Sequence, residues 1–393
     1  MADNPMKYLQ KATHTVAFFI VGLFFGVSAQ ENPQFQFRGI WVVRTSMTSK
    51  VSIDSVLDFA QTYQFNHLFL QVRGRGDAFY KSDLAPRSNT IKDEFDPLLY
   101  AISEGHKRNL KIHAWINVFL LWSSNSFPQD STHIMNSHPE WVDGSLMDNH
   151  KVESEFQNNS GNGIKKFLNP AIPEVIDHLI SVCEELLARY DIDGLHLDYI
   201  RYQDMDYGYN SLAIQKFKDA SGVSPIDSYI FGNSPVEIGV NKKQNQIEIW
   251  DDFRRASVTE FVRKCNSLIL KVNSNVVLSA AVKPNLWEAN NRYFQAWDQW
   301  IINGYVDFVI PMNYFPDLEN FSRNVDLMMD IIPSKYHQGI ILGLAVYNQD
   351  TNAVKQKIRY SRGAGFSGIS IFSYDARKDD TDYFETIVPE LLK

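Results

Sequence analysis

Cysteine is nearly absent from this 393-residue chain. There are two, Cys183 and Cys265, which excludes a disulfide-stapled scaffold and any four-cysteine metal site. Positive charge is in deficit: 38 Lys and Arg against 46 Asp and Glu leave a net charge of -8. A chain of that balance is a poor candidate for a nonspecific grip on DNA or RNA, so no nucleic-acid partner is expected. No GxGxxG follows the first strand pattern, there is no HExxH, and the G-x-S-x-G elbow is missing. The ten histidines are scattered, and only His196-x-Asp198 has a ligand-like spacing. The sequence therefore implies no metal and no cofactor.

What the chain does have begins at its N-terminus. Lys7 and Lys11 precede an apolar run over 16–27, VAFFIVGLFFGV, followed by Ser28, Ala29 and Gln30. A basic lead, a short apolar stretch and small residues at its end describe a secretory signal peptide. The run falls short of the ~20 residues that a membrane helix needs. The expected organisation is a signal peptide over 1–29 and one domain over 30–393, exported to the periplasm or the extracellular space. No stable membrane insertion is expected after processing; a retained anchor is the alternative reading.

Past that point one rhythm runs to the C-terminus. Short apolar runs read as strands at 39–44, 67–73, 111–119, 194–201, 276–283, 307–314, 339–347 and 368–374. Helical patterns fall between them, at 53–63, 97–109, 172–190, 247–271, 320–331, 352–362 and 380–391. Near-continuous apolar strands fit a parallel sheet covered on both faces. Eight strands with interleaved helices predict a (β/α)8 TIM barrel, with a doubly wound open sheet as the runner-up. Two connections, about 120–170 and 202–246, are too long for a bare barrel. Both leave the C-terminal ends of strands, where barrels build their sites. Their aromatic residues, Trp122, Trp141, Tyr207 and Tyr209, suit the walls of a cleft, while 149–163 reads equally as a loose excursion.

The strand ends supply the candidate site. Strand two gives Arg73 and then Asp77; strand three gives His113, Trp115 and Asn117, with Trp122 beyond. Strand four gives His196, Asp198 and Arg201, and Trp287 and Glu288 follow strand five. Strand six ends at Asn313 and Tyr314, with Asp317 in its loop; strands seven and eight end at Tyr347 and Tyr374. Arg44, Gln71 and Lys283 also fall at strand ends and receive no role. Asp198 stands out because a carboxylate inside an apolar strand must be paired or used. It is either a catalytic carboxylate or half of a buried ion pair with an arginine. Glycosidic bonds are usually broken by two carboxyl groups flanking the bond. Glu288 is the first choice for the companion acid, Asp317 the second and Asp77 the third, although Glu288 also suits a helix start. The aromatic strand ends fit a sugar ligand, since flat rings pack on the apolar faces of pyranoses.

Five blocks then carry a resemblance: FRGIWVVR, FLQVRGRGDAFY, HAWINVF, GLHLDYIRY and WIINGYVDFVIPMNY. Together and in order they resemble the family-10-like glycosyl hydrolases of secreted bacterial proteins, and the match runs from about residue 37 to about 374. The resemblance implies a glycoside-hydrolase-type (β/α)8 barrel and an exported protein with a carbohydrate substrate. It places a catalytic Asp at the end of strand four, which is Asp198, and an acid after strand five, near Glu288. A carbohydrate-binding barrel without the second carboxylate is the competing reading, and a metal-dependent hydrolase using His196 and Asp198 is a third. Both cysteines fall among apolar residues of helical patterns and read as free thiols.

Overall fold

Eight parallel strands wind into a ring in the computed structural model, which describes residues 35–92, 94–146, 165–226 and 240–393. The proposed signal peptide and its cut after Ala29 lie outside the described residues, as does 149–163. The barrel strands are β1 (Phe37–Val42), β2 (His67–Arg73), β3 (Lys111–Asn117), β6 (Gly194–Asp198), β7 (Val277–Val282), β8 (Phe308–Pro311), β9 (Leu342–Ala345) and β10 (Gly368–Phe372). Their order around the sheet is β8-β7-β6-β3-β2-β1-β10-β9. Single parallel bridges, Val309 to Ile340 and Met312 to Gly343, join β8 to β9 and bring the ring to near closure. The expected barrel is thus the observed one.

Helices cover the outside, and their starts follow from local chemistry. Ser49 and Ser52 form a reciprocal capping box at helix Lys50–Thr62. Asp96 caps Pro97–Lys107, where proline sits in the first turn and forfeits no helical bond. Asp317 and Asp350 cap Leu318–Ile331 and Thr351–Gly363. Helix Pro173–Arg189 packs beside helix Val240–Val272, and the free thiols of Cys183 and Cys265 lie buried there with their Sγ atoms 3.8 Å apart. Among the described residues no helix is long and apolar enough to cross a membrane.

The two long connections are folded where they are described. The first holds an antiparallel hairpin, β4 (Leu120–Ser123) with β5 (Lys165–Phe167), which the sequence reading did not anticipate. The second holds helix Ser211–Ser221. Asp143 joins them: its Oδ1 accepts from Gly144 N (2.9 Å), Asn169 Nδ2 (2.7 Å) and Gly208 N (3.1 Å). Burial still raises the Asp143 carboxyl to about 7 against those bonds.

Strand pleating decides what fills the barrel. Phe37 and Trp41 of β1, Phe69 of β2, Trp115 of β3, and Phe308 and Ile310 of β8 form one interior cluster. Small residues face that bulk. Gly194 is paired in register with His113, and a Cβ at Gly194 would lie 2.1 Å from His113 Nδ1. Gly194→Ala is therefore expected to destabilise the fold by about 1–3 kcal/mol, the usual range for overpacking a filled core. A urea melt measures this, and an unchanged midpoint would mean that the His113 layer has slack.

Candidate active site

The C-terminal ends of the strands surround a cavity of about 460 Å³. Its lining includes Trp41, Trp115, Tyr314 and Phe372, and the hairpin residues Leu120, Ser123 and Lys165 form one wall. Asp198 lines it from the last position of β6, buried to 8% exposure. The chain turns sharply there. Tyr199 adopts a left-handed backbone at φ 49°, a conformation that non-glycine residues rarely hold and that recurs at functional sites. That turn aims the Tyr199 N–H back at Asp198 Oδ1, 2.6 Å away.

Burial raises the Asp198 carboxyl from 3.8 to about 6. The Tyr199 N–H, Arg201, Trp115 and Lys283 all pull the other way without cancelling it. The Trp115 Nε1–H meets no acceptor at hydrogen-bond geometry, so its effect on Asp198 is that of an oriented dipole rather than a bond. Among the described residues no Lys or Arg nitrogen comes within 4 Å of the Asp198 carboxylate, so the buried ion pair with Arg73 or Arg201 allowed by the sequence is not formed.

Five of the residues read from the sequence share this cavity: Trp115, Asn117, Asp198, Arg201 and Tyr314. Others stand elsewhere, each for a local reason. A register shift between Gln71 and Arg73 turns Arg73 out of the interior, where it is buried among Tyr80, Asp77 and Cys183 and donates to Asn117 O at 2.7 Å. Asp77 accepts from Arg75 N at 3.0 Å and acts on Arg44 at longer range. His113 lies deep in the barrel, its Nε2 2.9 Å from His67 Nδ1. His196 sits below the cavity with both ring nitrogens engaged. Its Nε2 accepts from Trp41 Nε1–H at 3.2 Å, so its Nδ1 carries the proton and donates to Ser279 Oγ at 2.9 Å. Burial lowers His196 to about 3, so it stays neutral.

Trp122 borders a separate small hollow with Phe127 and Met135. Asn313 is buried and donates to Phe321 O at 2.9 Å, tying β8 to the next helix. Tyr374 packs on Phe59, ring centres 5.0 Å apart, because the chain leaves β10 at Phe372 and enters a short helix. Tyr347 is half exposed at the rim, 6.3 Å from the Tyr314 ring. Trp287 is 66% exposed and gives Glu288 no apolar enclosure. Glu288 begins helix Leu286–Asn291 and acts on Lys283, which also feels Asp198. Asp317 is an exposed helix cap. Its bonds from Asn320 hold it ionised below the ordinary carboxyl range, so it cannot store a proton near neutral pH, and it is set aside as the acid. Of the lining residues, Trp41 and Phe372 went unread in the sequence, while Arg44, Gln71 and Lys283 were seen at strand ends without a role. Strand parity was the available signal for Trp41, which pairs with Phe69 in the inward row. Among the described residues no three His, Cys, Asp or Glu side chains converge as a metal site.

Barrel, strand-end carboxyl and aromatic cavity together define a glycosidase-like (β/α)8 protein. The chain belongs to the glycosyl hydrolase-like 10 family, whose model matches residues 36–361. It is 26% identical over 334 residues to the glycosyl hydrolase YngK of Bacillus subtilis, covering 76% of this chain and 57% of that protein. It is 24% identical over 327 residues to the glycosyl hydrolase DigH of Escherichia coli K12, covering 73% of this chain and 66% of that protein. The chain thus spans less than two thirds of the length of these relatives. The PgaB (BpsB) glycoside hydrolase domain from Bordetella bronchiseptica shares the fold, with a TM-score of 0.68 at 14% identity over 90% of this chain and 98% of that one. So does the catalytic domain of the Paenibacillus polymyxa beta-amylase, with a TM-score of 0.55 at 12% identity over 91% and 98%.

The Asp198 environment sets a pH dependence of stability. Its folded pKa, about 6, lies above the ordinary 3.8, so the folded protein holds the proton more tightly. Stability is fully present below about 3.8 and falls as pH rises to about 6. Asp198→Asn removes that loss. The variant is expected to exceed the parent at pH 8 by about 3 kcal/mol, with the gap closing by pH 4. Denaturant melts at the two pH values check this. A variant weaker than its parent at pH 8 would restore the ion-pair reading.

Proposed function

We propose that this protein is an exported glycoside hydrolase acting on an extracellular or cell-envelope polysaccharide or oligosaccharide. The observation that carries the reading is Asp198: a desolvated carboxyl without an ion-pair partner among the described residues, at the end of the fourth barrel strand and in the wall of an aromatic cavity. Family membership and the named activity of the relatives support it. Export rests on the signal-peptide pattern of the first 29 residues.

In this reading pyranose rings lie against Trp41, Trp115, Tyr314 and Phe372. Ionised Asp198 meets the positive charge that develops at the sugar carbon as the bond breaks, acting as nucleophile or as stabiliser. A carboxyl that titrates at about 6 is ionised at neutral pH yet weakly solvated, so its charge acts strongly on the reacting centre. Glu288 is the companion acid, placed so that Lys283 feels both carboxyl groups. One observation favours a second reading, a carbohydrate-binding protein: Asp198 is the only carboxylate among the described residues lining the cavity.

A reducing-end assay on a panel of bacterial and plant polysaccharides separates the two. With a substrate found, Asp198→Asn is expected to reduce turnover by about 10³-fold or more while leaving sugar binding measurable. Glu288→Gln should reduce it by about 10²-fold, the scale of one lost proton donor. The parent's kcat/KM should rise with pH through about 6, since the ionised form of Asp198 is the active one. Full activity in Asp198→Asn ends the proposal. Binding across the panel without any hydrolysis favours the carbohydrate-binding protein.

A further inference from the structure

Four cations line the cavity beside the lone carboxyl, exposed Lys165 of the hairpin and three near strand ends, Arg44, Arg201 and Lys283; none of these three has a carboxylate within 4 Å among the described residues. Among the described residues the Arg44 guanidinium donates one bond, to Gln71 Oε1 at 3.0 Å, and its backbone N–H reaches the same oxygen at 3.4 Å. It lies flat against Gly74, where a Cβ would come 2.5 Å from Arg44 Nη1, so glycine leaves the guanidinium its place in the wall. Among the described residues Arg201 donates to main-chain oxygens, Tyr202 O at 3.1 Å and Gln203 O at 3.4 Å, with the Tyr199 and Tyr293 rings each 5.0 Å away. Lys283 Nζ makes no hydrogen bond among the described residues and sits 4.4 Å from the Tyr293 ring centre.

Elsewhere the buried cations Arg73 and Lys357 stand singly, each donating to a main-chain oxygen, and other arginines meet carboxylates; the cavity differs in that its cations stand together. Arg254 pairs with Asp251, Arg292 with Asp204 and Arg362 with Glu390. Asp77 and Glu288 act on Arg44 and Lys283 only at longer range. Neutralising Asp198 would take one cation, and four line the cavity. Sheltered charges without counterions are unfavourable, so a wall of them suits an anionic ligand.

We propose that the cavity recognises an anionic sugar, a pyranose carrying a carboxylate or a sulfate ester, with Arg44, Arg201 and Lys283 meeting the charged substituent while Asp198 faces the glycosidic bond. This rests on the glycosidase reading and narrows it to acidic glycans. Arginine offers either group a planar fork of donors and lysine a point charge.

The test is titration of the whole chain, followed by the fluorescence of Trp41 and Trp115, with galacturonate, glucuronate, glucose 6-sulfate, glucose and glucosamine. At least one anionic sugar should bind roughly tenfold tighter than glucose and glucosamine, the scale of one charge-assisted hydrogen bond. The carboxylate and sulfate arms identify which anion is taken. Arg44→Gln and Lys283→Met should each narrow the gap between the anionic and the neutral sugar, and added salt should do the same. Equal affinity across the set, a preference for glucose or glucosamine, no binding of any anionic sugar, or an unchanged gap in both variants overturns the inference. Asp198-dependent hydrolysis of a neutral glycan together with such a result would leave the glycosidase reading standing. Tight anionic binding without hydrolysis of any acidic glycan would support the anion site and remove the glycosidase.

Discussion

The site depends on how the barrel interior is filled. Eight strands of near-equal pitch leave a fixed volume, and pleating allows only alternate residues to enter it. Strands β1, β2 and β3 contribute Phe37, Trp41, Phe69 and Trp115, and β6, β7 and β10 answer with Gly194, Ser279 and Ser370. One polar thread crosses this packing. The Trp41 indole N–H meets His196, and His196 passes its own N–H to Ser279. A buried polar chain persists only when each member is satisfied, and this one fixes the imidazole tautomer and the indole orientation together. Because Trp41 lines the cavity above, the thread also sets the cavity floor.

Asp198 inherits its properties from that floor. It shares the inward face of β6 with His196, two residues further along, so whatever fills the barrel beneath it also keeps water away. The left-handed turn at Tyr199 ends the strand there and supplies its N–H donor. The same dryness lowers Lys283 to about 8, with Arg201 adding to the effect and Glu288 and Asp198 opposing it. Burial thus moves a carboxyl up and an amine down in one cavity, which brings two groups of opposite sign toward neutrality.

The barrel was legible in the sequence because its signals are redundant: eight apolar runs, helical spacing between them, and polar residues at the ends. The limits of that reading lay in strand parity. Alternation assigns a face only while the strand continues. Arg73 shares a parity with Gln71, yet the irregularity between them carries it to the other side. Tyr374 shares one with Phe372, but the chain enters a helix first. In β8 the inward row is Phe308, Ile310 and Met312, so Asn313 falls outside and Asp317 begins a helix. Trp41 and Phe372 escaped notice for the opposite reason. They are apolar residues within strands, where a search for polar chemistry at the ends does not look. The hairpin of β4 and β5 is too short, at four and three residues, to show any alternation.

The energetics of Asp198 bear on why such a residue is kept. A structural carboxylate offsets its desolvation by pairing, as Glu390 does with Arg359 and Arg362. Glu390 is held at about 2, well below the ordinary range, so its pairing stabilises the ionised form in the fold. Asp198 shows the reverse, a carboxyl raised to about 6 with cations nearby but out of reach. Sliding one of those cations within pairing distance would stabilise the fold, and the packing of Arg44 against Gly74 and of Lys283 against Tyr293 holds two of them apart from it. In the glycosidase reading that we propose, a separation that sacrifices stability is accounted for by a substrate that occupies the space between the charges, its ring against the aromatic wall and its reacting bond against Asp198.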